Sequence, residues 1–245
     1  MLEVKELKKR FGDFEAVKGI SFTVAKGEVL GFLGPNGAGK STTMRMITGF
    51  MPPTSGTAVI CGHDICHDPV AAKSCIGYLP ESAPSYRAMS VTEFLAFIAR
   101  MRGFSGRAVK ERVEAAIEKA HLEPVARKTI DTLSKGYRQR ACFAQAIIHD
   151  PKVLIMDEPT DGLDPNQKFT VREMIREMAA EKAIVISTHI LEEVDAVCTR
   201  AIVIADGEIK ADGTPAKLKS MDPSGRLDVV FRSLTIGKAG TEVTK

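Results

Sequence analysis

Gly34-Pro-Asn-Gly-Ala-Gly-Lys-Ser-Thr42 decides how the rest of the chain is read. It fits G-x-x-x-x-G-K-[ST], and its setting is the one that pattern needs: the apolar run EVLGFL (28–33) precedes it, and KSTTMRMITGF (40–50), with helical apolar spacing, follows. Glycines at these spacings let successive backbone N–H groups turn inward around an anion, here a β-phosphate. Lys40 brings a point charge to the β- and γ-phosphates, and Ser41 offers a hydroxyl to Mg²⁺. Gly34, Pro35, Asn36, Gly37, Ala38, Gly39, Lys40, Ser41 and Thr42 are therefore the candidate phosphate-binding residues.

A phosphate loop of this kind needs a second metal ligand at the end of another buried strand. VLIMDEP (153–159) supplies one, because Asp157 closes four apolar residues and should emerge where ligands bind open α/β sheets. Glu158, directly after it, is placed to polarise a water attacking the γ-phosphate. His189 follows the strand AIVIST (183–188), which a helical crossover joins to the Asp157 strand, so both should open on one edge of the sheet.

Further down, LSKGYRQR (133–140) reads as the start of a helix suited to an anion: Ser134 can cap it, and Gly136 leaves the backbone approachable. One chain then carries two phosphate cradles about a hundred residues apart.

Around these motifs the period of the apolar residues changes twice. The first 33 residues read as strands, LEVKEL (2–7), ISFTV (20–24) and EVLGFL, with turns at FGDFE and AKGE; TAVIC (57–61) and IGYL (76–79) are further short strands. From Ser90 to about His149, VTEFLAFIARMRG, RAVKERVEAAIEKAHL and YRQRACFAQAIIHD show three-to-four spacing, a helical insertion. Strands and helices then alternate through NQKFTVREMIREMAAE, AIVIST and ILEEVDAVC to a hairpin turning at Asp206-Gly207, the pattern of a parallel sheet with covering helices. RLDVVFRSLT (226–235) reads as a short amphipathic helix and the residues after it as a loose end.

Composition bounds the class. The 245 residues are enough for a large core, and nothing rich in Pro, Gly or Ser divides them. A net charge of +3, with bases scattered among acids, gives no reason to expect nucleic acid. No apolar run approaches the eighteen or so residues that span a bilayer, and five cysteines without paired spacing suit a reducing compartment, so a cytoplasmic location is expected. CGHDICH (61–67) resembles a zinc clip, but structural zinc usually takes two separated ligand pairs, and the favoured reading is a strand end, a Gly62 turn and exposed histidines.

With GPNGAGKST, LSKGYRQR, VLIMDEP, GLDP and STH in this order, the sequence resembles the ATP-binding subunits of ABC transporters, from about Leu2 to Leu218. The resemblance implies an α/β P-loop NTPase (RecA-like) fold: a mixed sheet with an N-terminal antiparallel β subdomain and an inserted α-helical subdomain at about 83–150. Residues 1–220 would form the nucleotide-binding domain and 221–245 a tail. It also implies ATP hydrolysis with Mg²⁺, Asp157 as metal ligand beside Ser41, Glu158 as catalytic base and His189 as the switch histidine. Phe11 would stack on adenine. Leu163 and Asp164 would form the D-loop crossing a dimer interface, and Ser134, Lys135, Gly136 and Tyr137 the signature that meets a partner's ATP. Two positions depart from the family's pattern. Glu81 stands where the Q-loop usually has glutamine and could still ligate Mg²⁺, and LSKGY replaces L-S-G-G-Q, adding a cation at Lys135 and an aromatic at Tyr137.

GYLPE, LSKGYRQR and GLDPNQ, with the closing LDVVFRSLT, look like the exporter branch that pairs with separate ABC-2-type membrane subunits, and within it like the gliding-motility ATPase type. The implied partners are a second ATPase subunit, identical or paired, and a multi-span membrane subunit whose groove would lie near Glu81 and Tyr86 to Phe97. The location would then be peripheral, on the inner face of the cell membrane. Two rival readings compete: a soluble ABC ATPase acting on ribosomes or DNA, which one P-loop and no sustained heptads disfavour, and a binding regulator without turnover.

Overall fold

The computed structural model describes residues 1–81 and 86–235. The loose end expected after Thr235 and the start of the helical insertion near residue 83 lie outside the described residues.

Two sheets form the frame. β1 (Leu2–Phe11) and β2 (Phe14–Val24) make a hairpin through a two-residue turn, as alternating LEVKEL predicts. β3 (Val29–Leu33) then enters the core with all five residues buried and delivers the chain to the Gly-rich loop and to α1 (Lys40–Ile47). β4 (Ser55–Ile60) pairs with β1 and gives a four-stranded antiparallel sheet of order β2-β1-β4-β5. β4 stops one residue earlier than TAVIC suggests, because Cys61 adopts a left-handed φ of 53° and turns with Gly62 into the two-residue β5 (His63–Asp64). His63 then faces Asp68 at 3.0 Å and His67 faces Asp64 at 3.1 Å, so each histidine of the supposed clip is taken by a carboxylate. The short α2 (Pro69–Ser74), which the sequence reading did not separate out, leads to β6 (Ile76–Leu79).

The helical insertion follows. α3 (Val91–Met101) begins at a capping box in which the Ser90 hydroxyl accepts from Glu93 N and the Glu93 carboxylate accepts from Ser90 N. α4 (Arg107–Lys119) and α5 (Lys135–Ile147) pack with it, burying Phe94, Leu95, Val113 and Phe143 in one cluster. The chain returns through β7 (Val153–Asp157), α6 (Pro165–Ala179), β8 (Ala183–Thr188), α7 (Leu191–Val197) and the hairpin of β9 (Arg200–Ala205) and β10 (Glu208–Gly213). α8 (Pro215–Lys219) and α9 (Leu227–Thr235) close the described chain, and α9 is the amphipathic helix expected: Leu227 and Val230 are buried while Phe231 and Leu234 pack against the cluster of Leu33, Val194 and Leu218.

The second sheet has the order β10-β9-β3-β8-β7-β6, parallel throughout except for β10 at its edge. β3, β7 and β8 are buried along their whole length, which is why they read as continuous apolar runs without alternation. Alternate residues still separate two cores: Leu154 and Met156 point to the helical insertion, Val153 and Ile155 to α1 and the antiparallel sheet. The consequence for the site is positional. Because β8 lies between β3 and β7, the C-terminal ends of all three are adjacent, and the segments following them share one edge.

Among the described residues no helix is long and apolar enough to cross a membrane.

Candidate functional site

The loop after β3 is shaped by glycines at two demanding places. Gly39 has φ of 101° and a Cβ there would lie 2.6 Å from the Ala16 carbonyl oxygen; at Gly34 a Cβ would collide with the Ile204 carbonyl. No side chain caps α1 and no acid occupies its first turn, so its free N–H groups remain available to an anion. Lys40 is buried, its ammonium donating to the Gly34 carbonyl at 2.9 Å and to the Pro35 carbonyl at 3.2 Å. Burial pulls its pKa down, against the opposing pull of Glu158, Asp157 and Glu81.

From the neighbouring strand ends come the acids. Asp157 is buried and accepts from the Ser187 hydroxyl and, at 3.3 Å, from Ser41. A hydroxyl beside a buried carboxylate is the oxygen-donor pair a hard cation prefers, so Ser41 and Asp157 fit Mg²⁺, and Glu81, exposed on the same cleft, can add a third oxygen. Glu158 stands in a left-handed conformation, φ 51°, with its N–H bonded to Ser187 O at 3.1 Å. Its carboxylate faces Lys40 at 3.8 Å and His189 Nδ1 at 3.0 Å. Glu158, Asp161 and His189 bring three ligand atoms within 4.8 Å of one another, but the Lys40 ammonium beside Glu158 makes that cluster a poorer cation site than Ser41 and Asp157.

Lys40, Ser41, Glu81, Glu158 and His189 line one cleft of about 610 Å³, together with Asn36, Gly37, Gly39, Thr42, Phe11, Phe14, Ala16 and Asp161. The phosphate loop, Glu81, Glu158 and His189 therefore meet, and Phe11 lines the same cleft, 46% exposed. Phe14, Ala16 and Asp161 were not singled out in the sequence. Phe14 had a signal there, since a two-residue turn sets it opposite Phe11.

The signature segment lies elsewhere in the same chain. Ser134 caps α5 as expected, accepting from Tyr137 N at 3.4 Å. Gly136 is buried, and the room its missing side chain leaves is taken by Gln167, whose Oε1 has no hydrogen-bond partner among the described residues. The Lys135 ammonium rests against Gly162, Gln139 donates to the Pro159 carbonyl at 3.3 Å, and the Tyr137 ring is turned onto the Arg140 guanidinium, 4.2 Å away. Leu163 is buried in the helical cluster, and Asp164 caps α6 by accepting from Asn166 N and Gln167 N, both at 3.0 Å.

A Gly-rich loop between a buried strand and a helix, facing paired acids at the end of another buried parallel strand, defines a P-loop nucleoside triphosphatase. The family is narrower: residues 17–161 match the family model described as ABC transporter, and the chain belongs to that family as an ATP-binding, ATP-hydrolysing subunit. The ABC transporter ATP-binding protein YxlF of Bacillus subtilis (strain 168) is 40% identical over 219 residues, covering 89% of this chain and 72% of that protein. The Nod factor export ATP-binding protein I of Rhizobium sp. (strain N33) is 39% identical over 218 residues, covering 89% and 72%. A solved structure described as an ATP-binding subunit of an ABC transporter superposes with a TM-score of 0.85 at 30% identity, covering 96% of this chain and 99% of that one. The finer resemblance to the gliding-motility type is not shown by these matches.

Proposed function

We propose that this chain is the nucleotide-driven subunit of an exporter, with residues 1–220 as the working domain and 221–245 as its tail. The observation that carries this is the meeting of Lys40, Ser41, Glu158 and His189 on one cleft, with the buried Asp157 accepting from Ser41, all from three adjacent strand ends. Gly34 to Thr42 hold the triphosphate, and Phe11 offers its ring to adenine. Ser41, Asp157 and Glu81 hold Mg²⁺, which when bound offsets charge on the phosphate oxygens. Glu158 takes the proton of the attacking water, and His189, 3.0 Å away, keeps the carboxylate aimed.

The α5 terminus, with Ser134 and Lys135 exposed and Gly136 and Tyr137 behind them, meets a second subunit's ATP, and Leu163 and Asp164 belong to the same interface. Two subunits thus close over two ATP-Mg²⁺ and part after hydrolysis, a two-state element gated by the γ-phosphate. The work passes to a multi-span membrane subunit through the groove beside Glu81, where the exposed Tyr86 packs edge-on against Phe97 at 5.1 Å. The chain then sits on the cytoplasmic side of the membrane, and the name of the Rhizobium relative supports export as the direction.

Glu158→Gln tests this. The variant should bind ATP, lose hydrolysis by about 10²- to 10⁴-fold and elute as a dimer with saturating ATP-Mg²⁺. A monomer on the sizing column under those conditions would sink the two-subunit reading.

A further inference from the structure

Phe14 has no part in the site as assigned so far. It is the register partner of Phe11 across the two-residue turn Gly12-Asp13, and directly paired residues of an antiparallel hairpin send their side chains to the same face. Both rings are solvent-exposed, Phe11 46% and Phe14 63%, and both line the cleft that holds the phosphate loop. A single exposed phenylalanine needs no explanation. Two opposed ones at the mouth of a nucleotide cleft call for one.

The Phe11 ring is already engaged on one side. The Lys9 ammonium lies 5.2 Å from its centroid and is anchored by donating to the Pro52 carbonyl at 2.7 Å. A base meeting Phe11 therefore finds one free face, and the cleft residues nearest in sequence to complete its seat are Phe14 and the small Ala16. Neither has a side-chain hydrogen-bonding group, so the base end selects by flat apolar area.

We propose that Phe14 is a second base-contacting residue, and that Phe11 and Phe14 together seat the purine of the nucleotide. This rests on the reading that Phe11 marks the base end of the cleft. Since base stacking on an aromatic ring is lost on truncation to alanine, each ring contributes about 5-fold or more to affinity. The larger purine gains more from two rings than a pyrimidine does.

Titration calorimetry with ATP-Mg²⁺, CTP-Mg²⁺ and inorganic triphosphate, on the full chain and on Phe14→Ala, Phe14→Tyr and Phe11→Ala, tests it. Phe14→Ala should weaken ATP about 5-fold or more, narrow the ATP-to-CTP ratio and leave inorganic triphosphate within about 2-fold, and Phe14→Tyr should restore ATP binding. If Phe11→Ala weakens ATP and Phe14→Ala does not, the role of Phe14 is overturned while the base end stands. If neither changes ATP affinity, the base end itself is misplaced and the proposal falls with it. Equal weakening of ATP and inorganic triphosphate by Phe14→Ala would mean a disturbed loop and would also overturn it.

Discussion

The Ser41 hydroxyl donates to the Asp157 carboxylate at 3.3 Å, across 116 residues of chain. The contact joins the first turn of α1 to the end of β7, and it places two hard oxygens where one cation can use both. Ser41→Ala and Asp157→Asn should each raise the Mg²⁺ concentration needed for half-maximal ATP hydrolysis, Asp157→Asn by more because it removes charge as well as geometry. Hydrolysis measured against Mg²⁺ at fixed ATP reads this directly, and unchanged Mg²⁺ curves in both variants would count against the pair as ligands.

Lys40 should matter for binding before it matters for rate. Its buried ammonium is held by two carbonyls of the loop and answers the carboxylate of Glu158. Removing it should weaken ATP by about 10- to 100-fold, the range for charge-assisted contacts to a buried anion. Equilibrium titration of Lys40→Ala with ATP checks this, and wild-type affinity would remove the loop from the phosphate site.

Stability hangs on a pair far from the nucleotide. Arg172 of α6 grips Glu193 of α7 with two nitrogens, the shortest contact being 2.6 Å, and the Glu193 side chain is only 3% exposed. Truncating Arg172 leaves a buried charge without its partner, so Arg172→Ala should cost about 3 kcal/mol in denaturant unfolding. A double variant, Arg172→Leu with Glu193→Leu, should recover most of the loss.

Acid should unfold the chain partly through His149. Burial, with Arg102 and other cations nearby, holds its pKa at about 4 instead of 6.5, while Nε2 bonds the Ile76 carbonyl at 2.9 Å. The folded state therefore resists a proton that the unfolded state accepts. Above pH 6.5 nothing is lost; as pH falls from 6.5 to 4 stability drops, by about 3 kcal/mol in all. Unfolding free energies of His149→Gln and the parent chain, measured across that window, should draw apart in the variant's favour as pH falls.

Much of this was legible because it rests on local chemistry. GPNGAGKST carries its own glycines, and VLIM and AIVI are apolar throughout where the parallel sheet buries them, the buried polar Asp157, Ser187 and Thr188 coming only at the strand ends. The capping serine of LSKGYRQR is likewise readable from its neighbours. What the chain did not disclose is tertiary: that Gln167 fills the room at Gly136, that Lys135 settles on Gly162, and that Cys61 turns left-handed to end β4. Each depends on a residue brought close by packing, or on a backbone state outside the usual preference of its residue type. Phe14 was missed for another reason: its place opposite Phe11 across a two-residue turn was the one signal, and an exposed phenylalanine adds no apolar periodicity to it.

The first turns of α5 touch the 159–167 segment three times, through Lys135 and Gly162, Gly136 and Gln167, and Gln139 and Pro159. That segment begins at the residue after Glu158, and it carries Asp161 on the wall of the cleft. Ser134, at the start of α5, is therefore mounted on the same beam as this chain's own cleft. A shift of the loop behind Glu158 would tilt the α5 terminus with it, so two ATP sites built this way would be yoked in series, each subunit passing the state of its own nucleotide outward through these contacts.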